Sequence, residues 1–210
     1  MYLKIKRLMD ITLSLIGLIA LSPIILILII AIKLDSSGPV LFKQKRVGLH
    51  KSYFNMLKFR TMRVDTPKDT PTHLLESPEQ YITGMGKFLR KTSLDELPQI
   101  WNIFVGQMSI IGPRPALWNQ YDLIEERDKY NANDVSPGLT GWAQINGRDE
   151  LPIEIKAKLD GEYVQKVGFW TDFKCFFGTI VSVVKSDGVV EGGTGNQQDN
   201  DEIASTKENM

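Results

Sequence analysis

The sequence has very few residues of the kinds that build disulfides, zinc sites and serine–histidine triads. Cys175 is the only cysteine, so the chain forms no intramolecular disulfide. His50 and His73 are the only histidines, which leaves too few ligands for a clustered His/Cys metal site. Nucleophilic or acid–base chemistry therefore falls largely to carboxylates, lysines and tyrosines.

The chain also lacks a net charge, yet its charges are segregated along the sequence. The 25 Lys and Arg residues balance the 25 Asp and Glu residues. The length of 210 residues is sufficient for one domain with appendages. Residues 1–63 carry eleven basic and two acidic residues, whereas residues 92–210 carry ten and nineteen. A basic beginning beside a long apolar run indicates attraction to anionic membrane lipids. A nucleic-acid partner is not expected, because basic nucleic-acid sites need no such apolar run.

Charge is absent from Ile11 to Ile32, a run long enough to cross a bilayer as a straight helix. Ser22 and Pro23 lie near its middle, where proline removes a helical hydrogen bond. Both flanks are basic, so the positive-inside tendency places both ends on the cytoplasmic side. The sequence thus favours a hairpin that enters the membrane, bends at Ser22 and Pro23, and returns. The alternative is an ordinary kinked transmembrane anchor.

The remaining chain predicts a small α+β body. Residues 40–42 and 53–59 favour the two strands of a β-hairpin. Helices are indicated for residues 81–91, 93–104, 121–130, 152–164 and 169–184. The aromatic stripe of the last helix is typical of a core helix or of one lying on a membrane surface. We predict three regions: a membrane-inserted hairpin over 1–35, a cytoplasmic domain over 36–185 and a flexible polar tail over 186–210.

Two adjacent acids, Asp95 and Glu96, are the strongest candidates for chemistry. Arg90 precedes them, and the stiff turn Gly112–Pro115 presents Arg114 after them. Magnesium in proteins typically uses one or two carboxylates together with substrate phosphates. Paired acids between arginines therefore indicate a site that handles phosphate through a divalent metal.

The same acids fit a purely structural interpretation. Ser93 followed three residues later by Glu96 matches a capping box, and Pro98 is tolerated near a helix start. The two interpretations are compatible, because Glu96 can cap the helix while Asp95 stays available as a nucleophile.

Other polar residues stand in ambiguous contexts. Lys58, Arg60 and Arg63 cluster at the end of the second predicted strand, where they suit phosphate, a lipid head group or a solvated basic edge. A loop rich in glycine and proline carries Gln144 and Arg148. Such loops often bear function, although they also simply turn the chain.

The order of these motifs resembles the bacterial sugar transferase family, in its small monotopic form of polyprenyl-phosphate phosphoglycosyl transferase. The resemblance runs from about Lys6 to Lys185. The motifs that carry it are Ser22-Pro23, Gly38-Pro39-Val40, Lys58-Phe59-Arg60-Thr61-Met62, Ser93-Leu94-Asp95-Glu96-Leu97-Pro98-Gln99, Gly112-Pro113-Arg114-Pro115, Pro137–Gln144 and Asn146-Gly147-Arg148. Each motif alone is weak evidence, but their common order is specific.

The resemblance implies an enzyme of the bacterial cytoplasmic membrane. Its expected architecture is a re-entrant helix hairpin, amphipathic helices on the inner leaflet and a small catalytic domain that faces the cytoplasm. Its expected activity is transfer of a sugar 1-phosphate from a UDP-sugar to undecaprenyl phosphate with release of UMP. This reaction would be the first membrane step of surface glycan assembly.

The resemblance also implies roles for individual residues. Asp95 would attack the sugar-linked phosphorus and form a covalent phosphosugar intermediate, and Asp95 and Glu96 would hold Mg²⁺. Substrate and phosphate contacts are expected from Lys58, Arg60, Arg90, Arg114, Gln144 and Arg148. The sugar and the oligomeric state, including a homo-oligomer, stay open.

Two positions depart from the family pattern. Gln107 follows Val105-Gly106 where members often have Lys-Gly and an acid, and Gly161-Glu162 replace a common aromatic or aliphatic pair. Two other functions also remain open: a non-enzymatic membrane-anchored interaction protein and a membrane-linked nucleotide-sugar hydrolase.

Overall fold

The computed structural model describes residues 1–66, 78–147 and 151–184, so the predicted tail over 186–210 lies outside the described residues. Its helices are α1 (Tyr2–Asp35), α2 (Gly84–Thr92), α3 (Gln99–Phe104), α4 (Tyr121–Asp128), α5 (Trp142–Ile145), α6 (Ile153–Gln165) and α7 (Phe169–Val184). Its strands are β1 (Leu41–Val47), β2 (Tyr53–Phe59), β3 (Ser109–Ile111) and β4 (Gly138–Thr140). The mixture of helices with small sheets confirms the predicted class.

Helix α1 is continuous over 34 residues and contains both Ser22 and Pro23. It is long and apolar enough to cross a membrane, and only 11% of its most apolar window is buried against the rest of the protein. A helix that is apolar on nearly all sides suits lipid contact. Since α1 is not divided into two helices at Pro23, the predicted hairpin bend stays a prediction.

Both ends of α1 contact the folded body. Near the beginning, the Asp10 carboxylate accepts a hydrogen bond of 3.0 Å from the backbone N–H of Ile110. Near the end, Leu28 and Ile32 are buried in a core cluster with Phe59. The helix is therefore fixed at both ends on one domain, while its middle exposes apolar side chains.

The predicted β-hairpin is confirmed. Strands β1 and β2 pair antiparallel from Leu41 opposite Phe59 to Val47 opposite Tyr53, so β1 extends further than the sequence indicated. The register pairs Lys58 with Phe42, so both side chains lie on the face of the hairpin that turns toward the body. This register brings a basic side chain from the hairpin to the interior face.

The outer edge of β2 is covered by one side chain. The Asn102 carboxamide accepts a hydrogen bond from Leu57 N–H at 3.0 Å and donates one to the Asn55 carbonyl at 2.9 Å. The amide thereby imitates a neighbouring strand, which satisfies an edge that would otherwise be open to pairing. It also fixes α3 beside β2.

A second, parallel pair of strands was not predicted. Strand β3 pairs with β4 through Ser109 opposite Gly138 and Ile111 opposite Thr140. A Cβ added to Gly138 would lie 2.1 Å from the Gly112 nitrogen, so glycine is required for the strands to approach. Because the pair is parallel, the segments that follow both strands meet at one edge.

Helix α7 confirms the predicted helical stripe and shows which of its side chains are buried. Its buried positions include Asp172 and Cys175, which face the body. Its exposed aromatic residues are Phe169, Trp170, Phe173, Phe176 and Phe177. The core-helix alternative is therefore wrong for these aromatics, which form an outward apolar surface of the kind that suits a membrane interface.

Candidate active site

Asp95 and Glu96 lie on a short 3₁₀ turn, Leu94–Glu96, between α2 and α3. Ser93 ends α2 with a φ of 55°, and its side chain makes no cap hydrogen bond. The capping-box interpretation of the acids is therefore wrong. The predicted single helix from Ser93 to Phe104 is also interrupted, because α3 begins only after Pro98.

Glu96 is contacted by two cations that come from distant segments. Lys58 Nζ, at the end of β2, lies 2.8 Å from Glu96 Oε1. Arg114, in the turn after β3, donates from Nη2 to Oε1 and lies with Nη1 3.4 Å from Oε2. Burial alone would raise the pKa of Glu96, but Arg114 and Lys58 outweigh it and hold this pKa well below its usual range. Glu96 is thus an ionised anchor for both cations.

Asp95 has a different environment from its neighbour. Its Oδ2 lies 3.6 Å from Lys58 Nζ, beyond ordinary hydrogen-bond distance. Burial raises the pKa of Asp95, Glu96 raises it further, and Lys58, Arg90 and Arg114 oppose the shift. In the described part of the chain, no group donates a hydrogen bond to this carboxylate. Asp95 therefore has lone pairs to offer a ligand or a reacting atom.

The turn that carries Arg114 is held by two other arginines, which the sequence analysis did not assign. Arg127 Nη2 donates to the Arg114 carbonyl at 2.9 Å, and Arg46 Nη1 donates to the Pro115 carbonyl at 2.9 Å. Arg46 lies on the same face of the hairpin as Lys58, but the predicted first strand ended at residue 42, so the sequence pattern did not extend to Arg46.

Arg60 and Arg90 have different placements. Arg60 is buried and donates to the carbonyl and hydroxyl of Ser36 at 2.7 and 2.9 Å, so these hydrogen bonds support the segment after α1. Arg90 Nε donates to Thr61 Oγ1 at 3.0 Å, and its charge acts on Asp95. Arg90 therefore belongs to the electrostatic environment of the acid pair.

Gln144 lies on α5, just after β4, at the edge where the segments following both parallel strands meet. Both polar atoms of its carboxamide are buried and have no hydrogen-bond partner among the described residues. Such atoms are costly unless a ligand or water satisfies them. Arg148, the remaining predicted contact, lies outside the described residues.

The two departures from the family pattern have local structural explanations. Asn102 donates to Gln107 Oε1 at 2.6 Å, so Gln107 helps fix the amide that covers β2. Tyr130 packs against Gly161 so closely that an added Cβ would lie 2.5 Å from the Tyr130 Cβ. Both positions therefore support local packing.

The acid pair is a suitable but incomplete donor set for Mg²⁺. No group of three or more His, Cys, Asp or Glu among the described residues could hold a metal by itself. Asp95 has unused acceptor capacity, whereas Glu96 is already paired with cations. These residues fit an ion that takes its other ligands from substrate phosphates and water.

The sequence matches the family model described as bacterial sugar transferase over residues 1–186. It is 41% identical to the uncharacterized sugar transferase EpsL of Bacillus subtilis over 185 residues, which are 88% of this chain and 90% of EpsL. It is 41% identical over 187 residues to the undecaprenyl-phosphate glucose phosphotransferase of Komagataeibacter xylinus. It is 40% identical over 184 residues to the UDP-glucose:undecaprenyl-phosphate glucose-1-phosphate transferase of Escherichia coli.

These matches differ in how much of each relative they cover. The match spans 83% of this chain but 35% of the Komagataeibacter protein, and 84% of this chain but 39% of the Escherichia protein. The chain thus corresponds to nearly all of EpsL and to little more than a third of the longer relatives.

Proposed function

Because the chain belongs to the bacterial sugar transferase family, we propose that it transfers a sugar 1-phosphate from a UDP-sugar to undecaprenyl phosphate and releases UMP. The observation that carries this proposal is the convergence of Lys58, Asp95, Glu96 and Arg114. Relatives named for glucose 1-phosphate transfer to undecaprenyl phosphate support it. A relative named as an exopolysaccharide production protein supports a place at the first membrane step of surface glycan assembly.

In the first half-reaction, a carboxylate oxygen of Asp95 attacks the phosphorus that bears the sugar. A bond forms between this oxygen and the phosphorus, and the phosphorus–oxygen bond to the UMP phosphate breaks. UMP leaves with the electron pair of that bond, and the sugar phosphate remains bound to Asp95 as an acyl phosphate. The lack of hydrogen-bond donors to Asp95 within the described residues supports this role, because its lone pairs are not already engaged.

In the second half-reaction, an oxygen of undecaprenyl phosphate attacks the same phosphorus. The new bond produces undecaprenyl diphosphate sugar, and the bond to Asp95 breaks to restore the free carboxylate. Dividing the transfer into two steps lets a water-soluble donor and a membrane-bound acceptor use one site in turn. Ping-pong kinetics are expected from such a covalent route.

The basic residues of the site serve the phosphates in this scheme. Arg114 presents a planar guanidinium that suits two-point contact with phosphate, and Lys58 adds a second positive charge. Arg90 contributes its charge beside Asp95. We propose that Gln144 contacts the UDP-sugar, because its carboxamide has no hydrogen-bond partner among the described residues. Arg148 is proposed as a second contact to this substrate on the family resemblance alone.

Magnesium is the proposed cofactor, held by the carboxylates of Asp95 and Glu96 together with donor phosphates. Bound there, it would neutralise phosphate charge as a Lewis acid. Chelation with EDTA is expected to abolish UMP release, and added Mg²⁺ to restore it. Full activity in EDTA would contradict the magnesium proposal without affecting the role of Asp95.

We propose that α1 enters the cytoplasmic membrane from the inner face, bends near Ser22 and Pro23 and returns to that face. A straight helix that crossed the hydrocarbon core, which is about 30 Å thick, would carry one of its ends away from the domain. Contacts of Asp10 and Ile32 with the same body support a shared side for both ends. The exposed aromatics of α7 then meet anionic lipids on the cytoplasmic leaflet.

The central experiment measures UMP release from a panel of UDP-sugars with undecaprenyl phosphate in detergent or nanodiscs. Release that depends on the lipid, and is lost in Asp95→Asn, is expected. Absence of UMP with every donor would favour the non-enzymatic interaction protein. Equal UMP release with and without the lipid would favour the nucleotide-sugar hydrolase.

Topology has its own experiment. In a Cys175→Ser background, Leu3→Cys and His50→Cys are each exposed to an impermeant thiol reagent in intact cells. Protection of both sites is expected for a helix that returns to the cytoplasm. Labelling of the residue-3 site alone would establish a full span.

A further inference from the structure

Behind the site, a buried ion pair reaches the backbone of Arg114. Arg127 on α4 and Asp160 on α6 are 3% and 1% exposed. Arg127 Nε and Nη2 donate to Asp160 Oδ2 at 2.8 and 2.6 Å. The same Nη2 donates to the Arg114 carbonyl at 2.9 Å. One guanidinium therefore connects a carboxylate on α6 to the turn that presents Arg114.

The pair is not arranged for stability alone. Removing two charges from water is costly, and replacing a buried ion pair with apolar residues is often neutral or stabilising. Asp160 Oδ1 is also buried without a partner among the described residues, so the carboxylate is only partly satisfied. A buried, incompletely satisfied pair is easier to explain if it fixes a geometry that function needs.

A second guanidinium holds the next residue of the same turn. Arg46 donates to the Pro115 carbonyl at 2.9 Å, while Gln44 Oε1 accepts from Arg46 Nε and Nη2 at 3.1 and 2.6 Å. The carbonyls of Arg114 and Pro115 are consecutive, so two arginines orient two successive peptide groups. Proline at residue 115 further restricts the backbone.

This arrangement fixes the backbone from which the Arg114 side chain reaches Glu96. We propose that the Arg127–Asp160 pair, assisted by Arg46, positions Arg114 against Glu96 and thereby sets the geometry of the acid pair for phosphoryl transfer. The inference rests on the proposed function. Arg127 and Asp160 contact no reacting atom, so they are positioning residues that act through Arg114.

The size of the expected effect follows from comparable supporting residues in other sites. Loss of an outer residue that orients a metal ligand typically lowers affinity or activity by roughly 10–100-fold. Small displacements matter because phosphoryl transfer depends mainly on positioning and electrostatic stabilisation. We expect a similar loss of kcat when the pair is removed.

The test removes both charges together, so that neither is left buried and unpaired. The variant Arg127→Met/Asp160→Ala is expected to keep a cooperative thermal transition near that of the wild type. A control, Glu126→Gln/Lys129→Gln, removes the neighbouring ion pair between Glu126 on α4 and the exposed Lys129 that follows this helix. The control is expected to retain wild-type UMP release within about twofold.

A double-mutant cycle with Arg114→Ala separates positioning from general loss of structure. UMP release is followed with radiolabelled donor so that low rates remain measurable. In the wild-type background the Arg127/Asp160 variant should lose roughly 10–100-fold in kcat. In the Arg114→Ala background the same replacements should change kcat less than about twofold, because the residue they position is gone.

The outcomes are distinct. An equal loss in both backgrounds would overturn the positioning role and assign the pair to general structure. An unchanged kcat in a folded Arg127/Asp160 variant would overturn it too. If that variant does not fold, Arg46→Gln replaces it in the double-mutant cycle, because Arg46 is a half-buried residue of β1. The positioning role is then judged by the same comparison of kcat in the wild-type and Arg114→Ala backgrounds. A wild-type protein that releases no UMP would refute the proposed function instead, before any variant is compared.

Discussion

Two clusters of charge in this molecule use similar side chains in opposite ways. The acid-pair cluster consists of Lys58, Asp95, Glu96 and Arg114. The helix-anchor cluster consists of Tyr2, Lys6, Tyr163 and Asp172. Each places carboxylate and cation in a largely buried setting, yet only the first leaves a carboxylate with unused acceptor capacity.

In the helix-anchor cluster, Asp172 is fully engaged. Its Oδ2 accepts from Tyr2 Oη at 2.6 Å and from Lys6 Nζ at 2.5 Å, and its Oδ1 accepts from Tyr163 Oη at 2.8 Å. These hydrogen bonds join α1, α6 and α7. Burial and the Asp172 charge raise the pKa of Tyr163, so its hydroxyl stays a donor. The cluster therefore holds the three helices together, and both oxygens of its carboxylate are already engaged in hydrogen bonds.

In the acid-pair cluster, the contacts with cations are distributed unevenly between the two carboxylates. Glu96 takes the short contacts with Lys58 and Arg114, while Asp95 keeps only the 3.6 Å approach of Lys58. A carboxylate that is buried and not hydrogen-bonded is poorly solvated and thus more reactive toward an electrophile. The comparison teaches that the reactive carboxylate is distinguished by the hydrogen bonds it does not accept, since burial and neighbouring charge are common to both clusters.

The largest expected effect comes from Asp95→Asn. Removal of the nucleophile should lower the rate of UMP release by about 10³-fold or more, as for other covalent catalysts. The thermal midpoint should not fall, because the side chain makes no hydrogen bond with the described residues. Mass spectrometry after incubation with donor alone should locate a phosphosugar adduct on Asp95 in the wild type. An adduct on another side chain, or normal turnover of the variant, would rule out the mechanism.

Asp172→Asn should have the opposite effect. It leaves Lys6 buried without its partner charge, which typically lowers the free energy of unfolding by about 3–5 kcal/mol. Activity per folded molecule, measured well below the transition, should stay near that of the wild type. Lys6→Met/Asp172→Leu should regain much of the stability. A folded Asp172→Asn protein with no activity would break the proposed division between the clusters.

Glu96→Gln should give an intermediate effect on catalysis. Its neutral amide no longer holds Lys58 and Arg114 by charge, so both cations lose their fixed positions. A decrease of roughly 10–100-fold in kcat is expected, smaller than that of Asp95→Asn. Steady-state UMP release with saturating donor measures it. If Glu96→Gln were the more damaging change, Glu96 rather than Asp95 would be the candidate nucleophile.

Much of the fold was predictable because its signals are local. Strand alternation identified the hairpin, and helical spacing identified α6 and α7 within a few residues. The parallel pair was not predictable in this way, since β3 and β4 have three residues each and pair across a long sequence separation. So short a strand carries no periodic pattern, and its partner is chosen by tertiary packing.

The motifs predicted which residues belong to the site, and the structure brings only some of them close together. Lys58, Asp95, Glu96 and Arg114 meet as the motifs indicated. Arg60 has the same charge as Lys58 and belongs to the same motif, yet it donates to the Ser36 carbonyl. The strand ends at Phe59, so the alternation that would have kept residues 58 and 60 on one face no longer applies. Contacts of this kind depend on where an element ends, which sequence patterns locate poorly.

The smallest expected effect is the dependence of stability on pH, measured in EDTA by chemical unfolding. The pKa of Asp95 is raised in the folded protein, so its stability contribution is present below its ordinary value of about 3.9 and is lost as the pH rises through the folded pKa. Asp95→Asn should therefore be more stable than the wild type at pH 7, by about 1.4 kcal/mol per unit of pKa difference. This advantage should shrink toward pH 4.

Glu96 provides the matched comparison because its pKa is lowered in the folded protein. Its contribution is present above its ordinary value of about 4.3 and is lost as the pH falls through the folded pKa. Glu96→Gln should therefore be less stable than the wild type at pH 7, and the deficit should persist at pH 5. Two adjacent carboxylates would then respond to pH with opposite signs. Deficits of the same sign in both variants would mean that Asp95 is satisfied in the folded protein as Glu96 is, and the contrast drawn between them would fail.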